Sequence, residues 1–310
     1  MEGAKISMDY EEMLTIKIAW YYYIENMTQQ QISEKFGLSR MRVIKILEKA
    51  KKEGVIQFKI RQDGEQHMQV ERELAKKWGL KDAFVVPSAS APEDINENVA
   101  KAAAIYIDQR ISNNCFINTG YGDTLSRMIN HLATMNEAPI SVVSLTGGVS
   151  YYLPNTHART FNVKLNLIPA PLLVASKEMV SAMRSEPSVS EIFRMVRLAK
   201  MTIIGIGSIG ENATILKNGI LSKNDFLYLS MKGAVGDILS HFIDENGNPI
   251  QTEIEDRLIS TSLKALRELD NVIGVAAGLS KIKAIRAALR GKYLNILITD
   301  EETAKELIKD

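Results

Sequence analysis

Seven short apolar runs alternate with longer helical segments through most of this 310-residue chain, and this alternation constrains the fold more than any other feature. The short runs are continuous and rich in valine and isoleucine, whereas the longer segments repeat apolar residues every three or four positions. The runs are AFVVP, CFINTG, ISVVSLTGG, LNLIP, MTIIGIG, NVIGVAAG and YLNILITD. Such alternation is typical of a mostly parallel sheet with helices on both faces. We therefore predict an α/β domain over residues 63–310.

The first sixty residues have a different pattern, which predicts three helices. Leu14 and Ile18 lie at helical spacing in the first segment. Thr28, followed three positions later by glutamine, predicts a capping box for a short second helix that ends at Gly37. Ser39 is the predicted cap of a longer third helix. A short helix, a tight turn with glycine and a longer helix make a helix-turn-helix.

The run VIQFKI after the third helix alternates apolar and polar residues, which predicts one strand of a small wing. We therefore predict a winged helix-turn-helix domain over residues 1–62, joined by the polar segment RQDGEQ to the α/β domain.

The third predicted helix carries a one-sided positive charge. Nine basic and two acidic residues lie between Lys35 and Arg61. At about 100° per residue, four of the basic side chains of the helix, Arg42, Lys45, Lys49 and Lys52, fall within an arc of roughly 80°. This stripe favours contact with DNA phosphates and docking in a groove; the alternative is the solvated face of an ordinary three-helix bundle. The candidate DNA-binding residues are Gln29, Gln30, Ser39, Arg40, Arg42, Lys45 and Lys49.

The run MTIIGIGSIG contains the G-x-G-x-x-G spacing of dinucleotide-binding loops, at Gly205, Gly207 and Gly210. A true dinucleotide site needs a helix directly after the glycines and an acidic residue about 20 positions further on. Asp225 lies near that distance, but the segment before it has little helical periodicity. We therefore expect no dinucleotide cofactor, and we expect the loop to shape the pocket of a smaller ligand.

Glycine follows four of the apolar runs, in NTGYGDT, LTGGVS, GIGSIG and AAGLSK. The carboxyl ends of parallel strands meet at one edge of a sheet, and backbone amides at glycine can approach an anion closely. Thr146, Gly147 and Gly148 are placed as a phosphate-binding turn would be. Lys281 begins the helix after AAGLS, where an ammonium could complete a phosphate site. A purely structural turn is the alternative for each loop.

The segment MKGAVGDILSHFID holds Lys232 and Asp237 among apolar residues. A half-buried carboxylate needs polar partners. Sugar hydroxyls suit Asp237, because a carboxylate can accept hydrogen bonds from two of them. A helix or turn cap is the alternative role for this residue.

The bulk composition excludes other classes of function. A net charge of +1 gives no global field towards nucleic acid, so DNA must be met by a local patch. The single Cys115 allows no intrachain disulfide, and we see no signal peptide or membrane-spanning run, so a cytoplasmic protein is expected. Four histidines, His67, His131, His157 and His241, show no metal-ligand spacing, and no metal site is predicted.

The helix-turn-helix segment and the ordered motifs GYGDTL, SLTGGVS, IPAPLLV, KGAVGDIL and VIGVAAGLSKIKAIRAALRG resemble the SorC family of bacterial transcriptional regulators. The resemblance covers nearly the whole chain. It implies that the C-terminal domain has a sugar-phosphate-isomerase-like fold without turnover. It also implies a small phosphorylated sugar or polyol as effector, double-stranded operator DNA as partner, and a homo-oligomer, either dimer or tetramer.

The resemblance implies functions for particular residues of this chain. The implied effector-binding residues are Gly122, Asp123, Thr124, Thr146, Gly147, Gly148, Lys232, Asp237 and Lys281. The glycine loops and Lys281 would hold the phosphate, and Asp237 would hold hydroxyls. The alternative function is a sugar-phosphate isomerase-type enzyme with a DNA-binding appendage. Asp123 or Asp237 would then be the general base, although neither motif holds a histidine or glutamate as partner.

Overall fold

The computed structural model of the protein describes residues 10–56, 62–89, 91–111, 115–135, 140–148, 163–210 and 213–309. The chain divides into two compact units, Met1–Glu65 and Gln66–Asp310. Residues 57–60, which make up most of the predicted wing strand, lie outside the described residues.

The first unit contains three helices packed around one small core. Their bounds are α1 Tyr10–Tyr23, α2 Gln29–Phe36 and α3 Arg40–Lys52. The core consists of Ile18, Ile32, Val43 and Leu47, all of which are buried. Each helix contributes to it, so the predicted helix-turn-helix is confirmed and its apolar spacing is explained by a shared interior.

The ends of α2 and α3 follow the predicted capping residues. The Thr28 hydroxyl accepts from the Gln31 amide, and the Gln31 side chain accepts from the Thr28 amide at 2.9 Å. Gly37 ends α2 with φ 62°, a left-handed conformation that glycine adopts without strain. Ser39 caps α3, since its hydroxyl accepts from the Arg42 amide at 3.2 Å. These caps fix the turn between the two helices.

The main sheet of the second unit has seven parallel strands among the described residues. The strands are β1 Asp82–Val86, β2 Phe116–Thr119, β3 Ile140–Ser144, β4 Val163–Asn166, β5 Met201–Gly205, β9 Val272–Val275 and β10 Ile296–Asp300. Their order across the sheet is β1-β10-β9-β5-β2-β3-β4. Each of the seven apolar runs supplies one strand, and the predicted α/β fold class is confirmed.

Helices cover both faces of this sheet. The helices of the second unit are α4 Gln62–Trp78, α5 Ile95–Asp108, α6 Asp123–Met135, α7 Lys177–Ser185, α8 Pro187–Met195, α9 Thr214–Lys217, α10 Lys223–Met231, α11 Glu253–Asp256, α12 Leu263–Arg267, α13 Ile282–Arg290 and α14 Glu301–Ile308, of which α9 and α10 pack in a separate cluster with β8 Phe242. Alternate strand residues join different cores: Ile203 packs with residues of α5 and α6, and Ile204 with residues of α13 and α14. A strand buried on both sides explains why the runs are continuously apolar.

A second, antiparallel sheet consists of β6 Gly207–Ser208, β7 Gly236–Ile238 and β8 His241–Ile243, in the order β6-β7-β8. Leu239 and Ser240 join β7 to β8 with φ values of 53° and 68°. Two consecutive left-handed residues are the geometry of a tight hairpin turn. The sequence analysis did not predict this small sheet. No helix in the described ranges is both long and apolar enough to cross a bilayer.

Candidate functional site

The exposed side of α3 forms a basic surface on the first unit. A shallow groove between α1 and α3 is lined by Glu11, Leu14, Thr15, Arg42, Lys45, Ile46 and Lys49. Within the described part of the chain, neither Arg42 nor Lys45 has a hydrogen bond or ion pair through its side chain. Both cations are therefore available to an external anion.

The other predicted DNA-binding residues have partners inside the first unit. The Lys49 ammonium lies 3.6 Å from a Glu11 carboxylate oxygen and 3.9 Å from one of Glu53. Arg40 donates to the Gln29 side chain at 3.5 Å. Exposed pairs of this kind contribute little stability, and phosphates could replace the carboxylates.

Gln30 lies in the first turn of α2, and Ser39 directly precedes α3. Gln30 donates to Glu34 at 2.8 Å along α2, and Ser39 caps α3. The seven predicted DNA-binding residues therefore lie on α2, on α3 or at the α3 cap, where a groove of DNA could meet them together.

The main sheet of the second unit has a switch point between β2 and β5, and we name the region outside the carboxyl ends of its central strands the crevice. From β2 the chain continues through α6 to β3, which lies next to β2 on one side. Strand β5 lies next to β2 on the other side, and the next strand of the main sheet, β9, lies beyond β5. Ligands of open α/β sheets bind outside the carboxyl ends of such strands. The loops at these ends are Gly120–Asp123 after β2, Gly207 after β5 and Gly278–Lys281 after β9.

Asp237 lies on β7 directly opposite Gly207 of β6. A Cβ atom on Gly207 would lie 1.9 Å from Asp237 Oδ1, so only glycine allows this approach. The other oxygen, Oδ2, accepts from the Ser240 amide at 3.1 Å. Burial raises the pKa of Asp237 to about 6, although the Ser240 amide and the positive charge of Lys281 oppose the shift.

Lys281 lies at the start of α13, where its charge interacts with the carboxylates of Asp237 and Asp123. Burial lowers the pKa of Lys281, and the two carboxylates act in the opposite direction. Its ammonium has no hydrogen bond or ion pair to another side chain among the residues that the structure describes. The structure thus brings three of the predicted effector-binding residues into one charged cluster.

Asp123 opens α6 beside Gly122 and Thr124, so the unpaired amides of the first helical turn lie next to the cluster. The Arg127 guanidinium contacts both Asp123 oxygens at 3.1 Å, and the Asn96 amide donates to one of them at 3.0 Å. Arg127 thereby offsets the negative charge of Asp123, which would repel an anion. The start of a helix itself favours anions.

Glu97 supports this arrangement from α5. Its carboxylate accepts from the Arg127 guanidinium at 2.7 Å and from His131 Nε2 at 2.7 Å. The hydrogen bond from Arg127 is the main cause that lowers the pKa of Glu97, with a smaller contribution from His131. Glu97 therefore stays ionised and holds Arg127 against Asp123.

Several residues of the crevice were missed by the sequence analysis. The hydroxyls of Tyr121 and Ser240 are 2.9 Å apart, which joins the β2 loop to the β7–β8 turn. Tyr121 lies inside the NTGYGDT motif, but Ser240 carried no signal because its contact arises from the hairpin turn. Gly207 was part of the glycine pattern in the sequence. Its close approach to Asp237 could not be predicted, because it depends on the pairing of β6 with β7.

The other predicted effector residues lie apart from this cluster in the described contacts. The amides of Gly147 and Gly148 donate to the carbonyls of Ile259 and Ala170, each at 2.8 Å. Thr146 is buried, and its hydroxyl donates to the Gly147 carbonyl at 3.0 Å. These amides serve the protein's own backbone in this structure, so a phosphate-binding role for Thr146–Gly148 stays a prediction.

Lys232 caps the C-terminal end of α10 and is exposed, with its ammonium 5.6 Å from the Tyr228 ring. The described contacts do not join it to Asp237 or Lys281, so its predicted role near the ligand also stays a prediction. Among the residues with described positions, no group of three or more His, Cys, Asp or Glu could hold a metal ion.

Comparison with known families matches both units of the chain. The family described as "Putative sugar-binding domain" matches residues 62–309, which include the whole seven-stranded sheet. The family "Sigma-70, region 4" matches residues 18–52, from α1 to the end of α3.

Individual relatives match the chain along nearly its whole length. The transcriptional regulator LsrR of Klebsiella pneumoniae is 34% identical over 302 residues, covering 96% of this chain and 93% of its own. LsrR of Escherichia coli K12 is 31% identical, with 96% and 95% covered. The crystal structure of the full-length sorbitol operon regulator SorC from K. pneumoniae is similar with a TM-score of 0.69 and 25% identity, covering 97% and 100%. These relatives are transcriptional regulators, and they do not favour the isomerase alternative.

Proposed function

The chain belongs to the SorC-type family of transcriptional regulators with a sugar-binding domain, and we propose that an effector controls its affinity for operator DNA. The observation that carries the proposal is the similarity to full-length transcriptional regulators across both units. We propose the first unit as the DNA-binding domain and the second as the effector domain. The protein would act in the cytoplasm as a homo-oligomer.

The proposed DNA contact is made by α3 in a groove of the duplex. Arg42 and Lys45 are exposed cations without partners in the described structure, and the first turn of α3 presents Arg40 beside its Ser39 cap. Residues at the N-terminal end of a recognition helix reach base edges, whereas lysines further along contact phosphates. Lys49 would exchange its carboxylate partners for a phosphate.

The proposed effector is a small phosphorylated sugar or polyol that spans the crevice. Its phosphate would lie between the first-turn amides of α6 and the Lys281 ammonium, since both groups attract an anion. Its hydroxyls would donate to the carboxylate of Asp237, whose position depends on its close packing against Gly207. The charges at the two ends of the crevice are complementary to such a molecule.

Effector binding would change DNA affinity if one arrangement of the oligomer binds the effector more tightly than the other. The ratio of the two effector affinities sets the size of the change, and its sign depends on which arrangement fits the operator. A phosphorylated compound without hydroxyls would bind the helix start but would lack the contact with Asp237.

The first test is a gel-shift titration of the full-length protein with the duplex DNA that flanks its own gene. Arg42→Ala should weaken binding by about 5- to 150-fold, as the loss of one charged contact costs about 1–3 kcal/mol. Arg197→Ala, which removes an arginine from the second unit, is the matched control. Equal affinity of both variants would contradict the role of α3.

The second test is a thermal-shift screen of phosphorylated sugars and polyols, starting with ribose 5-phosphate. A compound at 100 times its Kd should stabilise the protein by about 2.7 kcal/mol. Asp237→Ala should lose this response while keeping DNA binding. Chemical conversion of the compound by the wild-type protein would support the enzyme alternative instead.

A further inference from the structure

A histidine with two hydrogen-bond partners is buried directly after the turn between β7 and β8. The side chain of His241 is only 6% exposed. Its Nε2 lies 3.0 Å from the carbonyl oxygen of Thr261, and its Nδ1 lies 2.7 Å from a carboxylate oxygen of Glu255. Neither His241 nor Glu255 is among the proposed effector-binding residues. A buried polar group with all its partners in place restricts the backbone around it.

The two partners fix where the protons of the imidazole lie. A backbone carbonyl only accepts hydrogen bonds, so Nε2 donates to Thr261. The Glu255 carboxylate also accepts, so the short contact with Nδ1 requires a second proton on the ring. Imidazole is the more basic of these two groups, so the proton lies on His241. An imidazolium beside a carboxylate is neutral as a pair, which makes its burial less costly.

This imidazolium joins three segments of the second unit. His241 begins β8, and Glu255 belongs to α11. Thr261 lies in a segment whose residue Ser260 forms a bridge with the loop after β3. The amide of Thr261 donates to the carbonyl of Leu145 at 2.8 Å. The turn between β7 and β8 is thereby tied to a segment that is itself bonded to the end of β3.

The position of Asp237 depends on this turn. The Ser240 amide donates to Asp237 Oδ2 at 3.1 Å, and the Ser260 hydroxyl donates to the Leu239 carbonyl at 2.9 Å. Leu239 and Ser240 have φ values of 53° and 68°. Residues other than glycine adopt such values at a cost, and they keep them only where the surrounding contacts enforce the conformation. His241 supplies such a contact immediately after the turn.

His241 also acts on Asp237 through its charge. The charged groups that face Asp237 are Lys281 at the start of α13 and His241 on β8. The neighbouring strand β6 consists of Gly207 and Ser208, which carry no charge. Burial raises the pKa of Asp237, and the two positive charges oppose that shift. They favour the ionised carboxylate, which is the form that can accept from two sugar hydroxyls.

From these contacts we infer that His241 and Glu255 are positioning residues for the effector. The imidazolium, held by Glu255 and by the Thr261 carbonyl, keeps the turn in the conformation that fixes the Asp237 carboxylate in the crevice. Neither residue touches the effector, and both act through Asp237. The inference rests on the proposed function for the identity of the ligand, but its effect on Asp237 can be measured without one.

A double-mutant cycle in isothermal titration calorimetry tests the inference, with ribose 5-phosphate or the sugar phosphate that gives the largest thermal shift as the probe. His241→Phe keeps a ring in the buried space but loses both hydrogen bonds. The Kd of the probe should rise on the order of 10-fold, the lower end of what outer partners of ligand-holding side chains contribute. In an Asp237→Asn background the same change should alter the Kd by less than about twofold, because positioning acts through the carboxylate. A rise of equal size in both backgrounds, or no rise in either, would overturn the inference.

Tyr106→Phe is the matched control. Tyr106 is buried, and its hydroxyl donates at 2.7 Å to the carboxylate of Asp82, the first residue of β1. The variant therefore loses one buried hydrogen bond to a carboxylate at the amino ends of the strands, opposite the crevice. It should keep the wild-type Kd. An increase as large as that of His241→Phe would show a general effect of core polar groups and would overturn the inference.

Two variants of Glu255 replace His241→Phe in the cycle if that protein does not fold, since the Glu255 side chain is 20% exposed and tolerates change better. Glu255→Ala leaves Nδ1 without its partner and should raise the Kd. Glu255→Gln has an amide that can donate to Nδ1 of a neutral imidazole, so it should keep more of the affinity than Glu255→Ala. Equal losses in these two variants would overturn the inference.

Urea unfolding between about pH 4 and pH 8 separates a failure of the inference from a failure of the proposed function, because it needs no ligand. The part of the pH dependence that Asp237→Asn removes reports the ionisation of Asp237 in the folded protein. His241→Phe removes a facing positive charge, so the midpoint of this part should move to higher pH, whereas Tyr106→Phe should leave it in place. An unmoved midpoint in His241→Phe would overturn the inference. If the midpoint moves but no sugar phosphate binds the wild-type protein, His241 still positions Asp237 and the proposed function is wrong.

Discussion

Replacement of Gly207 by alanine tests the geometry of the effector crevice most sharply. The added Cβ would lie 1.9 Å from Oδ1 and 2.9 Å from Cγ of Asp237. Carbon atoms pack at about 3.5 Å or more, so the carboxylate and the new methyl must separate by about 1.6 Å. The Asp237 side chain would then leave the position from which it can accept hydroxyl groups.

The loss follows from the energy of a charged hydrogen bond, which contributes about 1.5–3 kcal/mol. The Kd of the best ligand found among phosphorylated sugars should therefore rise roughly 10- to 150-fold in isothermal titration calorimetry. Overpacking of β6 against β7 should also lower stability by about 1–3 kcal/mol. DNA affinity without ligand should stay unchanged.

Gly210→Ala is the matched control, because a Cβ at Gly210 meets nothing within 4 Å. It should keep wild-type ligand affinity and wild-type stability. If Gly207→Ala binds the ligand as tightly as Gly210→Ala does, Asp237 does not contact the effector and the proposed binding mode is wrong.

Four further predictions concern the charge and caps of the two units. Since burial raises the pKa of Asp237 to about 6, ligand affinity should increase between pH 5 and pH 7 as the carboxylate ionises, and Asp237→Asn should flatten this dependence in calorimetry. The pKa of Asp237 in the folded protein lies above its value near 4 in the unfolded chain. The stability that this residue contributes is therefore fully present below pH 4 and is lost as the pH rises through 6. Asp237→Asn should remove this part of the pH dependence of the unfolding free energy in urea titrations. Lys49→Ala should make the salt dependence of DNA binding shallower by about 0.9 in the slope of log K against log salt, because one phosphate contact is lost, and an unchanged slope would remove Lys49 from the interface. Gly37→Ala places a side chain at φ 62° and should lower the free energy of unfolding by about 1 kcal/mol in urea titrations, whereas no destabilisation would show that the turn tolerates a different conformation.

Local signals in the sequence predicted most of the fold. Most strands of the main sheet are buried on both faces and need continuous apolar runs, which made them visible in the sequence. The edge strand β4 has no fully buried residue and overlaps its predicted run LNLIP only at Leu165 and Asn166. The short-range rules of helix ends likewise predicted the Thr28 cap, the Gly37 turn and the Ser39 cap, because each depends on residues only a few positions apart.

The effector crevice was only partly predictable, because its geometry depends on contacts between distant segments. Lys281 was predicted from its position after an apolar run, and Asp237 was predicted as a carboxylate within an apolar segment. The approach of Gly207 to Asp237 depends instead on a strand pair of two residues. The β7–β8 turn has Leu239 and Ser240 at positive φ, where glycine, asparagine or aspartate is the usual residue, so the sequence did not predict a hairpin turn there.

The DNA surface shows a similar limit. The spacing of basic residues along α3 was visible, but the partners that hold Lys49 come from α1 and from the end of α3. The sequence also did not predict which face of α1 is exposed, because apolar residues lie on both sides of this helix.

Fluorescence anisotropy of a labelled operator duplex, with and without the sugar phosphate that binds the protein, tests the central claim most directly. Coupling between the two sites should change DNA affinity by about 5- to 150-fold, and the duplex should change effector affinity by the same factor. Asp237→Asn should bring this ratio close to one without changing DNA affinity in the absence of effector. A wild-type ratio of one, for a compound that saturates the crevice, would contradict the account.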